Sequence, residues 1–172
     1  MIQTEFNLDE MFTECEVGSI KIVKEHNYME DAPMTVMYCD GKNIMDTSKF
    51  VLDRIKEISD ELYGNVLICG LGMGASIFPL LHNRKVGQVV VIEYNEDIIN
   101  LVEPMIKEHD TMNKVVIKSQ DAYTYETENK FDCIYLDIWS DFSNPTTFET
   151  IEQTKEKYSK FLKDNGKMFT FR

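Results

Sequence analysis

Glycine stands at every second position in Gly70-Leu71-Gly72-Met73-Gly74, directly behind the apolar run Val66-Leu67-Ile68-Cys69. The order is that of a strand, a tight turn and a helix. Backbone without a Cβ lets a ligand come close, and the first amides of a following helix are open to polar groups. Glu93 ends a second apolar run, Val89-Val90-Val91-Ile92, nineteen positions after Gly74. That is the spacing at which an acid meets ribose hydroxyls, so the pair points to a nucleotide-like cofactor. Two more acids follow apolar runs: Asp121 after Val115-Val116-Ile117, and Asp137 after Phe131-Asp132-Cys133-Ile134-Tyr135-Leu136. In an open doubly wound sheet, ligands bind outside the carboxyl ends of the strands, so Gly70, Gly72, Gly74, Glu93, Asp121 and Asp137 converge on one crevice. A dinucleotide site needs the first acid only. A nicotinamide-binding Rossmann domain therefore leaves Asp121 and Asp137 unexplained.

The elements that must position these residues alternate as a parallel α/β sheet does. Short strands are expected within residues 18–46, two or three in number, turned by the hairpin dipeptide Asp40-Gly41. Val51, Ile55, Ile58 and Leu62 recur at helical spacing behind Thr47-Ser48, with Gly64 as a stop. A helix from about Ala75 to His82, a strand over 88–93 and a helix from about Glu96 follow, with Pro104 expected to kink or break the last. Asn144-Pro145 reads as cap and first residue of a further helix facing Phe148, Ile151, Tyr158 and Phe161 inward, and Asn165-Gly166 as its end. A fifth strand runs from Lys167 to Phe171. Residues 1–46 then form an N-terminal β-hairpin extension, and residues 47–172 a Rossmann-like domain of strand order 3-2-1-4-5. The antiparallel strands that usually end such sheets are missing. That leaves the fifth strand as an open edge carrying Phe169 and Phe171, so a homo-oligomer is expected.

The chain has 172 residues, one domain's worth, with net charge −12 and pI near 4.7. Such a field repels phosphate backbones, which argues against nucleic acid and fits a small, cationic substrate. Cys15, Cys39, Cys69 and Cys133 stand singly and read as reduced core residues. His26, His82 and His109 lack ligand spacing, so no metal site is assigned. No basic leader or membrane-length apolar run appears, and a cytoplasmic protein without membrane contact is expected.

The four-part series of glycine turn, Glu93, Asp121 and Asp137 resembles the class I methyltransferase-like fold that binds S-adenosylmethionine. Within it, the order Glu93, Asp121-Ala122-Tyr123, Phe131-Asp132 and Asp137, with the upstream Cys39-Asp40-Gly41 hairpin, is similar to the spermidine synthase group. The resemblance implies that the glycine turn meets the methionine part, Glu93 the ribose and Asp121 the adenine amine. Residues past the fourth strand then face the reacting group. It covers most of the chain, with departures. Met73 stands where aminopropyl-transferring members carry an acid, and their Asp-x-x-Asp becomes Asp137 with Ser140, Asp141 coming one place late. Ser48-Lys49-Phe50-Val51-Leu52 stands where they carry Asp-Glu and Tyr.

Several residues admit two readings. Tyr94 either stacks on the adenine or is a surface aromatic. Asp121 either holds the adenine amine or caps the turn begun by Ala122-Tyr123. Trp139 is either core or a cation–π shield over a sulfonium. Asp141 is a general base or a loop acid, and Asp137 is the main catalytic candidate. The reading that follows is a transferase using S-adenosylmethionine for methyl transfer to a small, cationic molecule. The alternatives are an aminopropyltransferase using the decarboxylated cofactor, and a non-catalytic cofactor-binding or interaction protein.

Overall fold

Apolar runs that continue without alternation belong to strands buried on both faces, and in the computed structural model three of them form the centre of a sheet. The structure describes residues 6–140 and 145–171. β5 (Gly64–Cys69), β6 (Val86–Glu93), β7 (Val115–Ser119), β8 (Phe131–Leu136) and β9 (Leu162–Thr170) lie in the order β7-β6-β5-β8-β9. Every neighbouring pair is parallel. This is the expected α/β arrangement, a doubly wound Rossmann-like sheet.

Strand alternation divides the core into two layers. Val66, Ile68, Val89, Val91, Cys133 and Tyr135 face the first. Leu67, Cys69, Val90, Ile92, Ile134 and Leu136 face the second. Ile55 and Ile58 of α2 (Lys49–Glu61) close the first layer, with Ile98, Val102 and Ile106 of α4 (Glu96–His109). Ala122, Tyr125 and Phe161 close the second, with Tyr158 of α5 (Pro145–Ser159). Each such aliphatic side chain contributes roughly 1.5–3 kcal/mol on burial.

The N-terminal region is a separate antiparallel sheet of four strands, β1 (Cys15–Val17), β2 (Ile20–Asn27), β3 (Ala32–Cys39) and β4 (Lys42–Asp46), preceded by the single turn α1 (Leu8–Met11). One strand more than expected forms, because β1 pairs along the edge of β2. The Asp40-Gly41 hairpin is present, with φ of 48° and 75°, as a type I′ turn requires. Leu8, Phe12, Ile20, Ile22 and Met37 bury themselves in the first layer of the main sheet, which fixes this sheet as a roof beside the carboxyl ends of the parallel strands.

Several local expectations are corrected. The helix expected from Ala75 is only α3 (Phe78–Leu81). Pro79 has no N–H for the Ala75 carbonyl and its ring would strike it, so residues 72–77 form turns instead. Pro104 does not break α4. It is exposed, as is Asn100, whose carbonyl the proline leaves unbonded and water can solvate. Phe148 is 53% exposed, because the inward stripe of α5 runs through Ile151, Thr154 and Tyr158 and turns Phe148 away. Asn144 lies outside the described residues. Asn165-Gly166 does not end that helix, which stops at Ser159; the dipeptide sits in a bulge of β9, between the pairs Phe131↔Leu162 and Cys133↔Lys167. Phe171 follows the strand rather than ending it. Cys69 and Cys133 are buried, whereas Cys15 and Cys39 are half-buried, and all four are free thiols. Among the described residues no helix is long and apolar enough to cross a membrane.

The start of α2 is held from outside its own segment. Ser48 is the N-cap but makes no side-chain capping bond, and buried Thr47 is spent on the amide of Thr35 and on Asp9. Glu30, in the β2–β3 turn, instead accepts from the amides of Lys49 at 2.9 Å and Phe50 at 3.3 Å. Glu30→Ala is expected to destabilise the protein by about 1 kcal/mol in urea unfolding, and Ser48→Ala by no more than about 0.5 kcal/mol. Equal losses would return the capping role to Ser48.

Candidate functional site

Because the five strands run parallel, the turns after β5, β6, β7 and β8 emerge at one edge. There the β3–β4 hairpin and α2 face them across a cavity of about 670 Å³. Its walls include Gly70, Leu71, Gly72, Glu93, Tyr94, Ala122 and Asp137 from the main sheet, with Met45 and Asp46 from the roof and Phe50, Val51 and Ile55 from α2. Asp40, Asp46, Glu93 and Asp137 bring negative charge to this wall and Lys42 positive.

All three glycines of the turn have positive φ, at 99°, 49° and 74°, which favours glycine. The space left by each missing Cβ is taken by the protein itself. A Cβ on Gly70 would lie 2.2 Å from the carbonyl oxygen of Asp137, one on Gly72 2.8 Å from Met45 Sδ, and one on Gly74 2.9 Å from the Phe78 ring. Gly70 and Gly72 line the cavity, whereas Gly74 is buried against α3 and α4. The Met73 amide donates to Met45 Sδ at 3.2 Å. The Met73 side chain is fully buried in the first core layer, so its substitution for an acid changes the core rather than the cavity wall.

Glu93 is 6% exposed. Its carboxylate accepts from the amide of Leu71 at 3.0 Å and of Asn95 at 2.8 Å, so it ties the glycine turn to the start of α4. Asn95 caps α4 through Asp97 and Ile98 and reaches the roof, with Nδ2 donating to Ser19 Oγ at 3.2 Å. Asp97 accepts from both the amide and the hydroxyl of Ser19. These bonds hold the roof and the sheet edge in register.

Asp137 continues the ladder beyond β8, its amide donating to the Cys69 carbonyl at 2.9 Å. Its side chain meets the cavity on one side and packed protein on the others. That burial pushes the carboxyl up from the ordinary value near 3.8 to about 6, opposed by a hydrogen bond from Tyr135. The Tyr135 hydroxyl donates to Asp137 Oδ2 at 3.0 Å, and burial, then the charge beside it, pushes the phenol strongly up.

The remaining expected residues divide. Tyr94 is 71% exposed and lies at the cavity wall; burial of part of it, and then the neighbouring Cys39 and Glu93, raise its phenol. Trp139 lines the cavity while its ring packs against the second core layer, combining both readings of it. Asp121 is exposed, lies off the cavity wall, and accepts from the Tyr123 amide at 2.8 Å, the geometry of the capping reading. Gln120, one position earlier, lines the cavity in its place. Asp141 lies outside the described residues. Sequence reading missed Gln120, Met45 and Tyr135. For Tyr135 a signal exists: it precedes Asp137 by two positions on one strand, hence on the same face. For Met45 there is none, since its place comes from packing of the roof.

No family model matches this sequence. A polyamine aminopropyltransferase of Saccharolobus solfataricus is 29% identical over 115 residues, 62% of this chain and 38% of that relative. One from Saccharolobus islandicus is 29% identical over 102 residues, 56% of this chain and 33% of that relative. The chain thus spans less than half the length of the curated relatives it matches. Among solved structures, a spermidine synthase from Thermotoga maritima matches with a TM-score of 0.58 at 18% identity, over 90% of this chain and 54% of that one. An S-adenosylmethionine-dependent methyltransferase from Clostridium acetobutylicum matches with a TM-score of 0.51 at 19% identity, over 72% of this chain and 50% of that one. The fold is therefore the class I methyltransferase-like fold in its spermidine synthase-like form.

The raised carboxyl of Asp137 has a consequence for stability. The folded state favours the protonated form, so stability is lost as pH rises from about 4 to about 6, where Asp137 ionises against its surroundings. Asp137→Asn removes that cost and keeps an acceptor for the Tyr135 hydroxyl. The variant is expected to be more stable than the parent above pH 7, by at most about 3 kcal/mol, with the difference vanishing near pH 4. Thermal unfolding at both pH values checks this; a variant equally stable at both would mean that Asp137 is solvated.

Proposed function

We propose that this chain binds S-adenosylmethionine, or its decarboxylated form, in the cavity at the sheet edge, and transfers a group from its sulfur to a small cationic acceptor. Methyl transfer is the first reading. The observation that carries it is the convergence of buried Glu93, Gly70, Gly72 and Asp137 on one acidic cavity. A volume of about 670 Å³ is within the usual range of roughly 300–1,000 Å³ for cofactor sites, and its carboxylates suit a positively charged ligand.

The residues fit the cofactor in parts. Glu93 Oε1 and Oε2 each accept one amide bond, and a carboxylate oxygen has a further lone pair with which to meet a ribose hydroxyl. Gln120, Ala122 and Tyr94 lie where an adenine would lie in this reading, with Asp121 acting on them through the turn it caps. Ile138, Trp139, Phe50 and Val51 keep water from the far side of the cavity. When bound, the cofactor supplies a carbon already activated by a positive sulfur, so no nucleophile from the protein is required.

What remains for the chain is orientation and one proton. Holding the acceptor in line supplies several kcal/mol of the barrier. An ammonium acceptor gives its proton to the ionised carboxylate of Asp137, and the freed nitrogen lone pair forms the new bond to carbon. The electron pair of the broken carbon–sulfur bond stays on sulfur. A carboxyl near 6 is mostly ionised at neutral pH and is a stronger base than an ordinary aspartate.

A second reading, aminopropyl transfer, is favoured by the curated relatives named polyamine aminopropyltransferase. It differs in needing carboxylates for an additional amine; Asp40 and Asp46 on the roof are the candidates in this chain.

Calorimetry with S-adenosylmethionine, its decarboxylated form, S-adenosylhomocysteine, methylthioadenosine and NAD separates these readings. An adenosyl sulfur compound is expected to bind most tightly, and Glu93→Gln to weaken it at least tenfold, about 1.4 kcal/mol. Tighter binding of NAD would overturn the proposal, and preference for the decarboxylated form would select the second reading. In turnover assays Asp137→Asn is expected to abolish transfer with little change in cofactor affinity. The parent's rate should fall as pH drops through about 6, where the base becomes protonated. A rate independent of pH between about 5 and 8 would remove Asp137 as the base.

A further inference from the structure

We propose that Tyr135 is the positioning residue for Asp137: its phenol fixes one carboxylate oxygen and so sets the orientation in which the charge is offered to the cavity. The consequence for catalysis rests on the transferase reading above; the pairing itself does not.

Tyr135 is 0% exposed in the middle of the sheet, and the residues sharing its layer on the adjacent strands, Val66, Ile68, Val89 and Val91, are all apolar. A phenylalanine would fill such a place without desolvating a hydroxyl, which costs energy unless the hydroxyl is bonded. The hydroxyl is bonded, to Asp137 Oδ2 at 3.0 Å. Strand periodicity delivers it, since residues two apart share a face.

The main chain of Asp137 is held as firmly as its side chain. Its amide donates to the Cys69 carbonyl at 2.9 Å, and its own carbonyl oxygen fills the space where Gly70 lacks a Cβ. With backbone and one oxygen both fixed, the carboxylate loses the rotational freedom of a side chain at a strand end. Such prior fixing is what a proton acceptor needs, because misplacement by an ångström costs much of the rate. The bond to the phenol also favours the ionised form against the burial that opposes it. Arg54 of α2 acts on the phenol from behind, while Glu93 of β6 and Asp40, Lys42 and Asp46 of the roof share the cavity with the carboxylate.

The test is carbon-13 NMR of the Asp137 carboxyl in the ligand-free protein, comparing the parent with Tyr135→Phe. Loss of the donor is expected to move the titration midpoint upward by about one pH unit. The acid limb of the transfer rate should move with it, and KM for the adenosyl cofactor should stay unchanged. A purely structural tyrosine would lower the unfolding temperature and leave the midpoint in place, which would overturn the proposal. Should Tyr135→Phe not fold, 3,5-difluorotyrosine at position 135 keeps the ring and strengthens the donor. The midpoint should then move downward, and an unmoved midpoint again overturns the pairing. A midpoint that moves in a protein that binds no adenosyl compound sustains the pairing and removes the transferase reading instead.

Discussion

The buried carboxylate of Glu93, shared between the amides of Leu71 and Asn95, is the interaction on which the rest of the site depends. An ionised group out of water must be repaid by hydrogen bonds, and two backbone donors do this here. Because one donor belongs to the glycine turn and the other to the start of α4, the same bonds set the distance between the two segments. Asn95 and Asp97 pass the constraint on to Ser19 in the roof. The cavity thus owes its shape to a relay of polar contacts around one acid, and a ligand at Glu93 would touch the centre of that relay.

The apolar core supplies the other half of the scaffold. Strict alternation along β5, β6 and β8 sends successive residues to opposite layers, so the sheet cannot slip by one residue without reversing both faces. The first layer also takes in the roof, through Ile20, Ile22 and Met37. Burying those side chains brings Met45 onto the glycine turn and the acids Asp40 and Asp46 to the cavity. The hairpin is therefore an active-site wall held by hydrophobic packing.

Asp137 shows the opposition between stability and chemistry at such an edge. The packing that orients it also raises its carboxyl toward neutrality, which costs folding energy when it ionises and makes it a better base. The Tyr135 bond eases that cost without removing it. A solvated aspartate would be cheaper for the fold and poorer for proton transfer.

Strand order, the roof hairpin at Asp40-Gly41 and the convergence of Glu93 and Asp137 were legible in the sequence, because apolar periodicity and the rule that ligands bind at carboxyl ends are local or topological facts. The departures arose where a distant partner decides. Glu30 caps α2 from another element, so no motif at Thr47-Ser48 reveals it. Pro104 stays helical because its unbonded side faces water, and Asn165-Gly166 bulges a strand because β8 pairs on either side of it. The glycines looked like room for a ligand, yet their missing Cβ atoms make room for the Asp137 carbonyl, Met45 and Phe78. A sequence shows that a position must be small; which atom fills the space beside it is fixed by the packing of segments far apart in the chain, and only the tertiary structure decides that.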